Sequence, residues 1–371
     1  MNRLKPLEKW FKAAFFGVFR RWLRKGQKDF RPLDGRRIRS VLFLRPEKIG
    51  DMVISFPVFD GLRKHFPHIR IAILGSPRNY EIIRDDPRFD TVYLYRKNVI
   101  GDLFTLLAMR RGGYDCVVDM IGNDSVTALF LSQLCADGKP RIGVGKKAYR
   151  EYYDFNYDHR MGNTGHIIEN TLKLLTALGI DTDTVDPYAI PHIRQEAWKK
   201  IDAFLADVSG SPRRPVVGYN LSAGSRTRLW AKEKSLELIQ RICDHVEDCR
   251  VILITSPADR RRGDELQRLL DRDGILQSPP NLSLTEVSAL VARLDLLISP
   301  DTSLVHIARA FKVPVVGLYS RYMKNFLLWR PYGQEVGAVV SGNDDNIFDI
   351  TVDQVFGVFT QVLERFEVVR S

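Results

Sequence analysis

Short, unbroken apolar runs alternate with helix-period segments along this chain, and they do so in two successive series. In the first series, Val41–Leu44, Ile69–Leu74, Thr91–Tyr95, Cys116–Met120 and Arg141–Val144 read as strands. Between them lie a helical pattern through Phe59, Leu62 and His65, a short helix at 81–84 and a helix over 101–111. An amphipathic helix over 166–178 is stopped by Gly179. The stretch Ser209-Gly210-Ser211-Pro212-Arg213-Arg214-Pro215 is rich in turn formers and reads as an interdomain linker. Strands at 216–220, 251–255, 296–299 and 313–319 follow, interleaved with helices over about 232–246, 259–270, 285–294, 302–311 and 352–367. Such alternation predicts an α/β protein with two Rossmann-like, doubly wound parallel sheets facing a central cleft, ligands lying beyond the carboxyl ends of the strands. The expected division is 1–35, a basic N-terminal helix; 36–205, a first Rossmann-like domain; 206–345, a second; and 346–371, a C-terminal helix packing back on the first domain.

Charge is distributed unevenly. The net charge is +11, but residues 1–40 hold 13 Lys/Arg against 3 Asp/Glu, so the other 331 residues are close to neutral. A broad basic groove built into the fold is therefore excluded, and with it the usual nucleic-acid-binding surface. In the basic segment, Trp10, Phe11, Phe15, Phe19 and Trp22 recur at helical spacing, while Arg20, Arg21, Arg24 and Lys25 lie mainly on the other side. Aromatic residues opposite cations suit a helix lying in an anionic bilayer surface; the competing reading packs the same face on protein. The uncharged run Ala13–Phe19 is too short for a signal peptide and is followed by Arg20-Arg21. No stretch reaches the roughly 18 apolar residues of a membrane span. The four cysteines form no CxxC pair, which fits a reducing cytoplasm.

The dinucleotide, P-loop, zincin and nucleophile-elbow motifs are all absent, and the seven histidines show no metal-ligand spacing. Three other stretches can carry chemistry. Asp51 follows the first strand and its loop, where a carboxylate can take a proton from a hydroxyl or merely cap the next helix. Ser222-Ala223-Gly224-Ser225, with Arg228 just beyond, offers backbone N–H groups and a guanidinium to an anion; a solvated loop is the alternative, with Trp230 as a packing anchor. At the third stretch, Asp301 can cap a helix whose first N–H groups, at Thr302 and Ser303, face a diphosphate. His306 follows on the first turn, either toward that ligand or as a buried structural histidine.

Together these stretches resemble glycosyltransferase family 9, whose best-known members are the lipopolysaccharide heptosyltransferases. The resemblance runs over about 41–320. It rests on Arg45 through Asp51 with Pro57, on Arg141-Ile142-Gly143 with His166 and the Leu-rich helix to Gly179, on Ser222–Trp230, and on Asp301–His306 with Ala310-Phe311-Lys312-Val313-Pro314. It implies a GT-B fold and an inverting, metal-independent transferase with no cofactor beyond an ADP-sugar co-substrate. Asp51 would be the general base. Ser222, Ala223, Gly224, Ser225, Arg228, Asp301, Thr302, Ser303 and His306 would bind the donor. The expected activity moves heptose from ADP-heptose to a lipopolysaccharide-core or other lipid-linked acceptor, at the cytoplasmic face of the membrane. Ser303 replaces the family's usual Gly, Arg228 stands where Lys is common, and Ser256-Pro257-Ala258-Asp259 replaces an expected Gly-containing turn. The last of these departures leaves the base or ribose contact unassigned. Other readings are a UDP-sugar transferase, a nucleotide-sugar epimerase, or a non-catalytic scaffold binding a nucleotide sugar or lipid.

Overall fold

The computed structural model describes residues 23–27, 29–157, 165–209 and 214–368. The chain forms two compact units, Met1–Thr164 with Ile168–Pro187, and Gly165–Ile167 with Tyr188–Ser371.

Unit 1 runs β1 (Ser40–Leu44), α1 (Ile49–Val53), α2 (Phe56–His65), β2 (Arg70–Gly75), β3 (Thr91–Leu94), α3 (Val99–Arg111), β4 (Cys116–Asp119), α4 (Val126–Ala136), β5 (Arg141–Val144), β6 (Phe155–Tyr157) and α5 (Ile167–Leu172). The strands pair in parallel in the order β3-β2-β1-β4-β5-β6. Side chains alternate across the sheet. Leu42 and Leu44 join Met109 of α3 and Leu131 of α4 on one face. Phe43 meets Phe59 of α2 on the other, edge to face at 5.0 Å. At the entry to β1 the Asp115 carboxylate accepts the N–H groups of Arg39 (2.7 Å) and Ser40 (3.1 Å).

Unit 2 runs α6 (Gln195–Ser209), β7 (Val216–Asn220), α7 (Lys232–His245), β8 (Arg250–Ile254), α8 (Arg260–Leu270), β9 (Ile275–Gln277), α9 (Leu284–Ala292), β10 (Leu296–Pro300), α10 (Ser303–Ala310), β11 (Val315–Tyr319), α11 (Met323–Trp329), β12 (Ala338–Val340) and α12 (Val352–Arg365). Its six strands are also parallel, in the order β12-β11-β10-β7-β8-β9.

Both doubly wound sheets match the sequence reading, with corrections. The boundary falls at Pro187/Tyr188 rather than near 205, and α6, which ends at Ser209, belongs to unit 2 together with β7. Polar clustering misled because a loop and a linker use the same residues. α6 is fixed within unit 2 by Lys200–Glu286 and Arg293–Asp202 ion pairs, and Trp198 carries the Arg293 guanidinium over its ring. The C-terminal helix, expected to pack back on the first domain, belongs to the core of unit 2. Val355, Phe359 and Val362 of α12 share a core with Leu238 and Ile242 of α7 and Val316 of β11. The single helix expected over 166–178 divides into α5 and a 3-10 turn, Lys173–Leu178, before Gly179 takes a left-handed φ of 76°. α4 was not foreseen: its buried Leu129, Leu131, Ser132, Gln133 and Cys135 cover so much of the helix that no amphipathic period stands out.

Trp10, Phe11, Phe15, Phe19, Arg20, Arg21 and Trp22 lie outside the described residues. Arg24 and Lys25 lie within them and are not helical. Residues 23–27 form a strap on unit 1. Leu23 is buried against Leu129, Tyr152 and Tyr153, and the Arg24 carbonyl accepts from Gln133 Nε2 (2.8 Å) and Arg141 Nη1 (2.8 Å). Arg24 pairs with Asp154 and Lys25 with Glu151, so protein carboxylates already meet both cations. A Cβ on Gly26 would lie 2.0 Å from the Tyr153 carbonyl oxygen; only glycine permits this approach.

Truncating Phe359 to Ala is expected to destabilise unit 2 by about 3–5 kcal/mol, read as a lower urea midpoint. An unchanged midpoint would remove α12 from the core.

Candidate active site

In unit 1 the chain leaves β1 through Arg45, whose side chain is buried. Its guanidinium donates to the Asp51 carbonyl (3.1 Å), Ser55 Oγ (3.1 Å), Glu47 (2.6 Å) and the Met120 carbonyl. Those bonds shape the short turn into α1. Asp51 is the third residue of α1, and Lys48, not Asp51, occupies the capping position. The Asp51 carboxylate accepts the Lys48 N–H at 3.1 Å and stands 3.7 Å from the Arg45 guanidinium. Its side chain keeps 15% exposure, so the acid is held by its neighbours yet reachable.

Behind this turn lies a buried ionic network that sequence reading missed. Lys146 Nζ meets Asp119 at 2.8 Å and donates to the carbonyls of Ile121 (2.7 Å) and Asn123 (3.0 Å). Tyr153 donates its hydroxyl to the same Asp119 at 2.5 Å. Burial, reinforced by Asp119, pushes the Tyr153 phenol well above its ordinary range. Burial also raises the Glu47 carboxyl, against the lowering pull of Arg45. The available signal was a charge placed at the end of an apolar strand, Asp119 closing β4 and Lys146 just after β5.

In unit 2, Asn220 at the end of β7 joins two of the sequence stretches. Its amide nitrogen donates to Ser299 Oγ (2.9 Å) and Thr302 Oγ1 (3.1 Å), and its carbonyl oxygen accepts the Ser222 N–H (3.0 Å). Ser222 Oγ accepts the Ser256 N–H at 2.7 Å, tying in the end of β8. Arg228 donates to the Asp301 carbonyl (3.1 Å) and pairs with its carboxylate (2.9 Å). Ser222, Arg228, Asp301 and Thr302 thus come together at the carboxyl ends of β7 and β10. Ala223 beside them is partly buried, while Gly224 and Ser225 are exposed. Gly224 has open space where a Cβ would stand.

The cap of α10 is Thr302, whose hydroxyl accepts the Leu304 N–H, so Asp301 is released from capping and engages Arg228 instead. Ser303 opens the helix. Trp230 is buried and donates its indole N–H to the Ile350 carbonyl at 3.0 Å, the packing-anchor role. His306 is buried against Trp329, ring centroids 5.5 Å apart, and its Nδ1 has no hydrogen-bond partner among the described residues. His166 shares this region: its Nε2 lies 2.8 Å from the Arg330 carbonyl and its ring 4.9 Å from that of Tyr332. Burial lowers His306 to about 3, helped by Arg309. Burial and then His306 lower His166 to about 2. Among the described residues, no group of three or more His, Cys, Asp or Glu is arranged to hold a metal ion.

Two doubly wound units, each built on a six-stranded parallel sheet, are the architecture of the GT-B glycosyltransferases. The family model described as glycosyltransferase family 9 (heptosyltransferase) matches residues 106–350, and the chain belongs to that family. It is 26% identical over 317 residues to lipopolysaccharide heptosyltransferase 3 of Escherichia coli (strain K12), covering 79% of this chain and 86% of that protein. Among solved structures, a glycosyltransferase family 9 protein from Veillonella parvula DSM 2008 superposes with a TM-score of 0.72 at 17% identity, covering 91% of this chain and 99% of that one. E. coli heptosyltransferase WaaC with ADP gives 0.65 at 17% identity, covering 89% and 100%.

The two histidines make unit 2 acid-sensitive. Below their ordinary value of 6.5 the unfolded chain takes up protons that the folded imidazoles refuse down to about 3 and 2. Stability therefore falls as pH drops through this window, by about 1.4 kcal/mol per pH unit for each histidine. Replacing His306 with Gln is expected to flatten the pH slope of the urea midpoint between pH 6 and 4. An unchanged slope would show that His306 is protonated in the folded chain.

Proposed function

We propose that this protein is an inverting, metal-independent heptosyltransferase that uses ADP-heptose and a lipopolysaccharide-core or other lipid-linked acceptor. It would work at the cytoplasmic face of the membrane. The observation that carries this reading is Asp51: a carboxylate at the exit of β1, steadied by Lys48 and Arg45, retaining exposure toward a hydroxyl substrate.

In this mechanism Asp51 takes the acceptor hydroxyl's proton as the oxygen attacks the anomeric carbon. The bond from that carbon to the diphosphate breaks on the opposite side, which inverts the centre and releases ADP. Charge accumulates on the departing diphosphate. Arg228 would neutralise it, with Asp301 holding the guanidinium in place and the N–H groups near Ser222–Ser225 and Thr302–Ser303 adding hydrogen bonds. His306, buried as it is, would support the helix that carries these donors. No helix among the described residues is long and apolar enough to cross a membrane. Attachment is assigned to the basic segment through Trp10, Phe11, Phe15, Phe19, Arg20, Arg21 and Trp22.

Asp51→Asn is expected to reduce transfer from ADP-heptose roughly 10²–10⁴-fold while leaving stabilisation by ADP in a thermal-shift assay unchanged. Full turnover in that variant would remove Asp51 as base. ADP should stabilise the wild-type chain equally with magnesium and with EDTA, and Arg228→Ala should weaken that protection. Preference for UDP would redirect the donor assignment, and no response to any nucleotide would favour a scaffold.

A further inference from the structure

Helix α3 of unit 1 is apolar on two opposite sides. Its inner side places Leu106 and Met109 in the core with Leu131 and Cys135 of α4. Its outer side leaves Leu103 52%, Phe104 77% and Leu107 40% exposed. At helical spacing these three form one stripe, continued by exposed Ala108 and Arg111. A surface helix ordinarily turns charged residues to water, so a large exposed aromatic between two leucines marks a contact face.

The charges around the stripe say what would cover it. Arg96 and Lys97 precede the helix and Arg110 and Arg111 end it, all exposed, with no ion pair to a carboxylate among the described residues. The one acid of α3, Asp102, is buried, and its two oxygens accept the N–H groups of Arg96 and Asn98, each at 2.8 Å. The outer face therefore combines apolar side chains with cations and carries no negative charge of its own. That combination is complementary to an anionic lipid surface, where acyl chains receive the apolar groups and headgroups the cations.

Position within unit 1 agrees. The crossovers β3–α3–β4 and β4–α4–β5 step the same way across the sheet, so right-handed connections put α3 and α4 on one face. The strap packs on α4 too, Leu23 lying against Leu129 and Phe130. The strap of residues 23–27 thus lies on the face of unit 1 that carries α3.

We infer that the Leu103–Phe104–Leu107 stripe of α3, with Arg96, Lys97, Arg110 and Arg111, is a second membrane-contact surface that seats unit 1 on an anionic bilayer. The inference deepens the membrane reading above and rests on it for the choice of lipid as occupant. The test is flotation of the full chain with vesicles of phosphatidylcholine alone and of phosphatidylcholine with phosphatidylglycerol. Three variants are compared with wild type: Leu103→Ser with Phe104→Ser and Leu107→Ser; Phe11→Ser with Phe15→Ser and Phe19→Ser; and Phe104→Trp. The α3 variant is expected to bind anionic vesicles roughly tenfold less tightly while keeping its thermal stabilisation by ADP. Phe104→Trp should gain blue-shifted emission, relative to wild type, only when anionic vesicles are added. Wild-type binding by the α3 variant, with no emission change at position 104, would overturn the inference; loss of binding in the segment variant would then leave the N-terminal reading standing. Loss in the α3 variant with none in the segment variant would do the reverse. A lipid-independent emission shift that grows with protein concentration would show a second copy covering the stripe and would also overturn it.

Discussion

A parallel sheet is buried on both faces, because each strand must be returned to its start by a crossover that lies against the sheet. Both units obey this constraint, and the rest of the molecule depends on it. The strands become continuous apolar runs, with Leu42 and Leu44 facing one layer and Phe43 the other. Only the turns at the strand ends are free to carry polar groups toward a substrate. In unit 1 that freedom goes to Arg45–Asp51, and in unit 2 to the turns after β7 and β10.

Each of these polar turns has one organising side chain. Arg45 is buried and binds the carbonyl of Asp51, so the turn and the first helix form around a guanidinium. Asn220 performs the corresponding task in unit 2, reaching Ser299 and Thr302 on one side and the Ser222 backbone on the other. Neither is a candidate to react. Both use a fixed side chain to give neighbouring groups a geometry that an irregular loop would not hold alone. Arg228 and Asp301 add a partly exposed ion pair across the two turns of unit 2, so the guanidinium is already oriented.

The fold was largely legible because burial on both faces writes itself into sequence as apolar runs. What escaped was buried too completely or placed at an edge. α4 lost its period because nearly all of it is covered, and β6, β9 and β12 are three-residue edge strands with little pattern to read. The candidate residues of unit 2 were readable as small residues and charges at strand ends. The buried network behind the Asp51 turn of unit 1 was less so: Asp119 meets Lys146 and Tyr153 only through tertiary structure, being far from both in the chain. Sequence reading puts the cap of α10 one position early: Asp301 and Thr302 are both favoured capping residues, and Asp301 engages Arg228 instead.

The strap of residues 23–27 bears on how the protein can be shortened. Beginning the chain at its first strand is the obvious way to obtain a minimal catalytic body. It would remove the carbonyls of Arg24 and Lys25, to which the buried Arg141 guanidinium donates at 2.8 and 3.3 Å, and the Gln27 N–H bonded to Asp154 at 2.8 Å. The cut would strip acceptors from a desolvated cation in β5 and uncover Leu129 and Tyr153. Inactivity in such a fragment would report a damaged sheet edge rather than a lost lipid contact, and a shortened enzyme should begin no later than Leu23.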